Sequence, residues 1–345
     1  MLIGAMSGTS ADGVDAALVR ITGTGMDMRA ELLHVVESSY PTDLRARVQT
    51  LRQRGETQLS ELASLGRDVS VAYVNVVRQL LEQSNVSPDD VTAIAAHGQT
   101  LFHAPPLSIQ WMDPALVAQQ TGIDVISDFR RADLAVGGQG APLVPFADWI
   151  LFRSNTETRV ILNIGGIANV TILPKASTLD QVIGFDTGPG NCVSDWLMDQ
   201  DYFKKSPPKS TDGPAMIEIW KRMPLALQSH FGKHDSASPT AISDSLATAA
   251  LWVGWSIREA IGAYNPDTLV VAGGGVRNAG IMQFLNQDKW GLEIITTDSL
   301  GVPTQAREAV AFAILGCATI DRVCANVTRV TGASRPVILG AVYPA

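Results

Sequence analysis

Short apolar runs alternate with longer segments of helical period along this chain. The apolar start "MLI", a polar turn and the run "AALVRI" predict strand–turn–strand over residues 1–22, with a third strand near "ELLHVVES". Helical spacing follows at 43–54 and about 58–83. "VTAIAAH" predicts a short strand ending at the corner "HGQT", followed by a helix near 113–120 and the strand "IDVIS". The theme then recurs. "RVILNIGGIANVTIL", residues 159–173, reads as strand, glycine turn, strand, and "VIGFDTGPGN" as a strand running into a loop that opens a helix at about 191–199. The Pro-rich stretch 201–213 predicts a loop. A long helix at 241–263, the strand "TLVVAGGG", the helix "NAGIMQFL" and a last helix at 304–323 follow. Hairpins mixed with crossover helices predict an α/β protein with mixed sheets. Two glycine-turn hairpins half a chain apart hint at an internal duplication.

At 345 residues, 46% hydrophobic and 17% charged, the chain is long for one core and predicts two domains. The net charge of −8 argues against nonspecific binding to nucleic acid or to an anionic membrane, but leaves room for a local cationic site. No apolar stretch approaches the roughly 20 residues that span a bilayer. No basic segment with an apolar signal core opens the chain, so no secretion signal is expected. Cys192, Cys317 and Cys324 form no CxxC and fit free thiols in a reducing cytoplasm.

Four polar or glycine-rich corners follow strand-like runs: 4–15, 163–169, 186–191 and 273–278. Glycine lets backbone approach a ligand, and successive N–H groups cradle phosphate oxygens. Ser7, Thr9 and Ser10 add hydroxyl donors, and Asp12 and Asp15 suit Mg²⁺ directly or through water. One such corner is most simply a tight turn; four beside strands favour a phosphate site. There is no GxxxxGK[ST], and no GxGxxG opens a helix after the first strand, so neither a P-loop nor a dinucleotide fold is expected. Hairpins gripping phosphates, with a separate "AGGG" corner for the nucleoside, match the ATP-binding scheme of the sugar kinase, Hsp70 and actin superfamily.

"MSGTSADGVD", "AAHGQT", "SDFRRADLAVGGQGAPLVP", "LNIGGIANVT", "GFDTGPGN", "VAGGGVRN", "REAVAFAILG" and "LGAVYPA" occur in order from one end of the chain to the other. This ordered set resembles the anhydro-N-acetylmuramic acid kinase family, which usually has Met or Leu where Ala11 stands. The resemblance implies a two-lobed actin-like ATPase (ribonuclease H-like) fold with an interlobe cleft. The expected lobes are 1–130 and 131–324, with the tail 325–345 packing back on the first. It implies ATP and Mg²⁺ as cofactors, a small anhydro sugar as partner, a homodimer, and the cytoplasm. Such enzymes open the 1,6-anhydro bridge with water and phosphorylate O6, giving N-acetylmuramic acid 6-phosphate in cell-wall recycling.

Asp186 is the expected catalytic base, since a carboxylate in an open glycine loop can take a proton from the attacking water. The expected ATP and phosphate set is Gly8, Thr9, Ser10, Ala11, Asp12, Gly13, Val14, Asp15, Asn163, Gly165, Gly166, Gly188, Gly273, Gly274, Gly275 and Asn278. Asp12 is also the candidate for Mg²⁺, through water. Arg130, favoured over Arg131 by the match to "DFR", is expected to pair with a lactyl carboxylate. Asp133 joins the substrate set. For His97 and Gln99, sugar binding and a hydrogen-bonded corner stand equal. Glu308 points to the sugar by resemblance; read alone, it equally suits a helix first turn. His230 and His234, with Gly232 between them, read as surface, Cys192 as a small buried residue, and Trp252 and Trp255 as core.

Three departures from the family pattern stand out. "PPKS" at 207–210 follows "GNCVSDWLMDQ" sooner than is typical, Met112 replaces a glycine before Asp113, and Asp148 stands where histidine is common. Two competing classes are a kinase for another anhydro sugar of the levoglucosan type, and a nucleotide-binding switch without sugar chemistry.

Overall fold

The computed structural model describes residues 1–8, 11–198, 239–287 and 291–345. The chain divides into two compact units. The first comprises 1–153, 178–182 and 301–345; the second comprises 154–177 and 183–300. The boundary expected at 130/131 falls inside the first unit, which also takes in 131–153 and 301–324.

The first unit is built on a seven-stranded sheet. β1 (Leu2–Ser7), β2 (Gly13–Thr22) and β3 (Arg29–Ser39) form an antiparallel meander. β4 (Ala93–Ala104) runs parallel to β1, and β6 (Val125–Ser127) parallel to β4. β5 (Leu107–Trp111) folds back on β4, and β12 (Ala341–Tyr343) closes the far edge antiparallel to β6. Both faces of the central strands are buried, as their unbroken apolar runs require. On one face Ile3, Ala5, Ala16, Leu18 and Ile94 meet α1 (Thr42–Arg54), α2 (Leu59–Ser84) and α3 (Pro114–Thr121). α2 turns a buried stripe of Leu65, Val69, Tyr73, Val76, Val77 and Leu80 inward. On the other face α9 (Arg307–Ile320) lies against β1. A Cβ on Gly4 would meet the Ala309 carbonyl oxygen at 1.8 Å, so only glycine permits this approach.

"HGQT" does not end its strand. Ala5 pairs with Ala96 and Ser7 with Gln99, so β4 carries an extra residue against β1 and continues to Ala104. Gly98, at φ +78°, takes up this bulge without breaking the ladder. The short elements α4 (Arg131–Ala135), α5 (Val144–Phe152) and α10 (Thr328–Thr331) complete the unit.

The second unit repeats the strand order. β7 (Arg159–Ile164), β8 (Ile167–Leu173) and β9 (Ile183–Pro189) form an antiparallel meander. β10 (Thr268–Ala272) runs parallel to β7, and β11 (Glu293–Thr296) parallel to β10. α6 (Cys192–Met198), α7 (Pro239–Gly262) and α8 (Ala279–Leu285) are its helices. Val160, Leu162, Val170 and Val271 pack against the α7 stripe Val253, Ile257 and Ile261. Trp252 is buried, but Trp255 is half exposed, on the side of α7 opposite that stripe. Both sheets thus place a meander beside two parallel strands in the order 3-2-1-4-5, the ribonuclease H-like arrangement of actin-like ATPases. No helix among the described residues is long and apolar enough to cross a membrane.

Candidate active site

In the first unit the β1–β2 loop is held from below by buried side chains. Ala11 turns the chain at φ +55°, with its N–H donating to the Gly8 carbonyl at 3.2 Å and its methyl in the core. The Tyr40 N–H donates to Asp12 O at 2.9 Å, and the Tyr40 hydroxyl to Ser7 Oγ at 3.0 Å. Ser7 Oγ lies 2.7 Å from Gly13 O and 2.8 Å from Gln99 Oε1, and its single proton serves one of them at a time. Gln99 Nε2 donates to Gly8 O at 3.1 Å. Gln99 is therefore fully buried with both ends of its amide engaged, which is the corner reading and not the sugar reading. Val14 packs into the core, and Gly13 is required by the approach of β3, where a Cβ would stand 2.1 Å from Ser38 O. Thr9 and Ser10 lie outside the described residues, as do the "PPKS" loop, His230 and His234.

Acids gather beside this loop. Asp12 is exposed and pairs with Arg45. Asp15 is half-buried, opposite Glu37 in the β2–β3 ladder. Burial, then the neighbouring charges of Glu37, Glu308 and Asp12, push its carboxyl up to about 6. Glu308, in the first turn of α9, also supports the charge of Arg130, whose pKa burial pushes down to about 10. Glu308 is thus within electrostatic reach of both groups.

Arg130 is half-buried, with its guanidinium between two acceptors. Nε and Nη2 lie 3.1 and 2.9 Å from His97 Nε2, and Nη1 donates to Gly140 O at 2.7 Å. His97 is buried against Phe312, with ring centroids 5.0 Å apart, and burial followed by the Arg130 charge holds its pKa well below the usual histidine range. Arg131 faces outward in an ion pair with Asp128 at 2.6 Å. Asp133 departs from its expected place at the substrate. It is fully buried and accepts from Gly140 N, Asn326 Nδ2 and Thr331 Oγ1, each at 2.8 Å. Its carboxylate serves the fold because those donors fill it.

Two groups escaped sequence reasoning. Arg307 and Asp148 form a buried bidentate pair, Nε–Oδ1 2.9 Å and Nη2–Oδ2 2.5 Å, directly before Glu308. The unusual Asp148 was the one sequence signal of it. His103, on β4, accepts or donates at Nδ1 with Ser108 Oγ at 2.7 Å, and burial followed by the Arg130 charge pushes it down to about 4. Met112 is buried in the first-unit core.

In the second unit the matching hairpin is a two-residue turn. Gly165 N donates to Ile167 O at 3.0 Å. The Gly165 carbonyl accepts from Asn191 N at 2.8 Å, and that of Gly166 from Gly190 N at 2.9 Å and Cys192 N at 3.1 Å, so the turn is fastened to the start of α6. Of the three glycines after β10, two are set by packing on the end of β7. A Cβ on Gly273 (φ +81°) would meet Asn163 Oδ1 at 2.7 Å, and one on Gly275 would meet Ile164 Cγ2 at 2.2 Å. Among the described residues nothing lies within 4 Å of that position at Gly274, which leaves room for a ligand. Asn278 caps α8, accepting from Ile281 N at 3.3 Å, and donates to Asn191 Oδ1 at 3.2 Å.

Asp186 sits at a bulge. Asn169 pairs with Asp186 but Ala168 with Gly188, so Thr187 is the extra residue. Thr187 is buried, donating to Ala168 O at 3.2 Å, while Asp186 is half-buried. Bulges of this kind re-aim side chains beside active sites. Cys192 is buried, and burial pushes its thiol up to about 11, which removes it as a nucleophile.

Among the described residues, no group of three or more His, Cys, Asp or Glu is disposed to hold a metal. Mg²⁺ held by one or two carboxylates plus phosphate oxygens needs no such group, and the carboxylate repulsion at Asp15 is what a cation relieves. The acids of the first-unit loop fit the ion in that mode.

The sequence profile for anhydro-N-acetylmuramic acid kinase matches residues 1–199 and 193–345. The two pieces meet where the chain is shorter than the family pattern. An anhydro-N-acetylmuramic acid kinase of Cupriavidus metallidurans is 38% identical, covering 100% of this chain and 97% of that protein. One of Caldanaerobacter subterraneus is 32% identical over 99% of this chain and 96% of its own. Among solved structures, an activator of 2-hydroxyisocaproyl-CoA dehydratase from Clostridium difficile with bound ADPNP overlays at TM-score 0.42 and 15% identity, covering 92% of this chain and 94% of that one.

Proposed function

The chain belongs to the anhydro-N-acetylmuramic acid kinase family, and we propose that it opens 1,6-anhydro-N-acetylmuramic acid with water and transfers the γ-phosphoryl group of ATP to O6. The observation that carries the reading is the full-length family match. In this mechanism Asp186 takes a proton from water as its oxygen bonds to C1. The C1–O6 bond breaks with its electrons going to O6. O6 then bonds to the γ-phosphorus, and the electrons of the bond to the β-phosphate leave with ADP. The sugar gains one water and one phosphoryl group, and one proton is released.

In the first unit Arg130 receives the lactyl carboxylate, and Glu308, beside it, orients the sugar. The β1–β2 loop serves the phosphate end. Asp12 and Asp15, through water, would hold Mg²⁺, which would screen the charge of the transferring phosphoryl group. In the second unit Gly166 and Gly274 offer backbone to the nucleotide, whereas the N–H of Gly165, expected in that set, is taken by Ile167 O. Free thiols and the use of ATP favour a reaction in the cytoplasm, and the family resemblance supports a homodimer as the working assembly.

The test is a coupled ADP-release assay with Mg·ATP and three sugars in parallel: 1,6-anhydro-N-acetylmuramic acid, levoglucosan and N-acetylmuramic acid. Turnover with the first alone is the expected result. Turnover with levoglucosan instead would move the specificity to a neutral sugar. Bound ATP with no turnover on any sugar would sink the kinase reading.

A further inference from the structure

Building on the reading of Arg130 as the group that receives the substrate carboxylate, we propose that His97 is a positioning residue. It is a neutral imidazole protonated on Nδ1, and it aims the Arg130 guanidinium and so sets the preference for carboxylated over neutral anhydro sugars.

The tautomer follows from the partners. Nδ1 lies 2.9 Å from the Gly98 carbonyl oxygen, which only accepts, so Nδ1 carries the proton. Nε2 faces Nε and Nη2 of Arg130 at 3.1 and 2.9 Å, and a guanidinium only donates, so Nε2 offers its lone pair. The left-handed Gly98 in the β4 bulge is the residue that presents this carbonyl to the ring. Burial keeps the imidazole neutral, and the Phe312 ring fixes its plane.

The other side of the guanidinium is held by Gly140 O at 2.7 Å. Gly140 is fixed in turn by its N–H donating to Asp133 Oδ2 at 2.8 Å. These contacts engage three of the five guanidinium N–H groups. One on each terminal nitrogen is left to donate to a carboxylate. Both structural acceptors are uncharged. A carboxylate in place of His97 would hold Arg130 equally well but would cancel the charge that the ligand needs. A neutral acceptor aims the cation and leaves it available.

The experiment compares binding of 1,6-anhydro-N-acetylmuramic acid with binding of 1,6-anhydro-N-acetylglucosamine, the same bicyclic sugar without the lactyl ether, by calorimetry on the full chain. It adds kcat and KM for the carboxylated sugar. His97→Phe keeps the ring against Phe312 but removes the acceptor. It should weaken the carboxylated sugar at least tenfold more than the neutral one, with the loss in KM rather than kcat. His97→Gln, whose Oε1 accepts near the place of Nε2, should recover most of that ratio. Equal weakening of both sugars, or of neither, overturns the proposal. Arg130→Ala separates the two layers. An unchanged sugar ratio there removes the carboxylate role of Arg130, and the proposal with it. A collapsed ratio in Arg130→Ala beside an unchanged one in His97→Phe removes the proposal alone. If His97→Phe does not fold, nitrogen-15 NMR of the unmodified protein decides. The His97 proton on Nδ1 is expected; a proton on Nε2 overturns the proposal.

Discussion

The first hairpin of each sheet occupies the same place in the strand order, yet the two are built differently. In the first unit Met6 pairs with Asp15, and five residues, 8–12, lie between β1 and β2. In the second unit Ile164 pairs with Ala168, and only Gly165 and Gly166 separate the strands. The longer loop carries side chains, and Asp15, just beyond it on β2, is near Glu37, Glu308 and the loop's Asp12. The shorter one carries only backbone, fastened to α6. The bulges differ too. In the first sheet a bulge on β4 brings in His97; in the second a bulge on β9 re-aims Asp186. One topology thus gives a corner rich in side-chain charge and a corner of bare backbone with one carboxylate beside it.

The largest expected effect falls on that carboxylate. Asp186→Asn should lower kcat by about 10²- to 10⁴-fold, the range of a lost general base, while ATP affinity stays within about threefold. Calorimetry with an ATP analogue beside the ADP-release assay checks both halves. A large loss of nucleotide affinity would move Asp186 from the chemistry to the phosphate corner, and the contrast between the two units would weaken.

The next effect tests stability in the first unit. Asp148→Ala strands the buried Arg307 guanidinium and should cost about 3–5 kcal/mol, read as a drop in melting temperature. Asp148→Leu with Arg307→Met, which removes both charges, should cost far less. If the double variant is stable but slow, the pair matters because it sets the first turn of α9, where Glu308 stands. If it is stable and active, the pair is a matter of folding alone.

Hairpins, long helices and the repeat were legible because their apolar runs are long and their turns are glycine. The sequence signal faded where elements are short or exposed, as in β5, α4, β11 and β12. "HGQT" looked like a strand end because a left-handed glycine serves a bulge as well as a turn. The motif positions of the candidate site were legible, but several roles were not. Asp133 looked like a ligand for a sugar, and for Gln99 that reading stood level with a hydrogen-bonded corner; their partners Asn326, Thr331 and Ser7 lie 193, 198 and 92 residues away. Arg307 and Asp148 are 159 residues apart. Pairings at such distances are made by the fold and leave no local pattern.

The smallest expected effect concerns pH and the charged corner itself. Asp15 titrates near 6 in the folded protein against a usual value of 3.8. Its folded pKa is raised, so its contribution to stability is complete below the unfolded value and is lost as pH rises through about 6. Without nucleotide or Mg²⁺, the protein should therefore lose stability at this site between about pH 4 and pH 6. Asp15→Asn cannot ionise and should escape that loss. Its unfolding free energy relative to the unmodified protein, followed by denaturant titration, should climb across this window and level off above it, by about 1 kcal/mol once the water reaching a half-buried group is discounted. Mg·ATP should narrow the difference, because a cation at the loop supplies the charge that Glu37, Glu308 and Asp12 deny to Asp15. A difference that does not change with pH would mean that the acids of this loop are solvated independently. The side-chain corner would then differ from the backbone corner in composition but not in electrostatics.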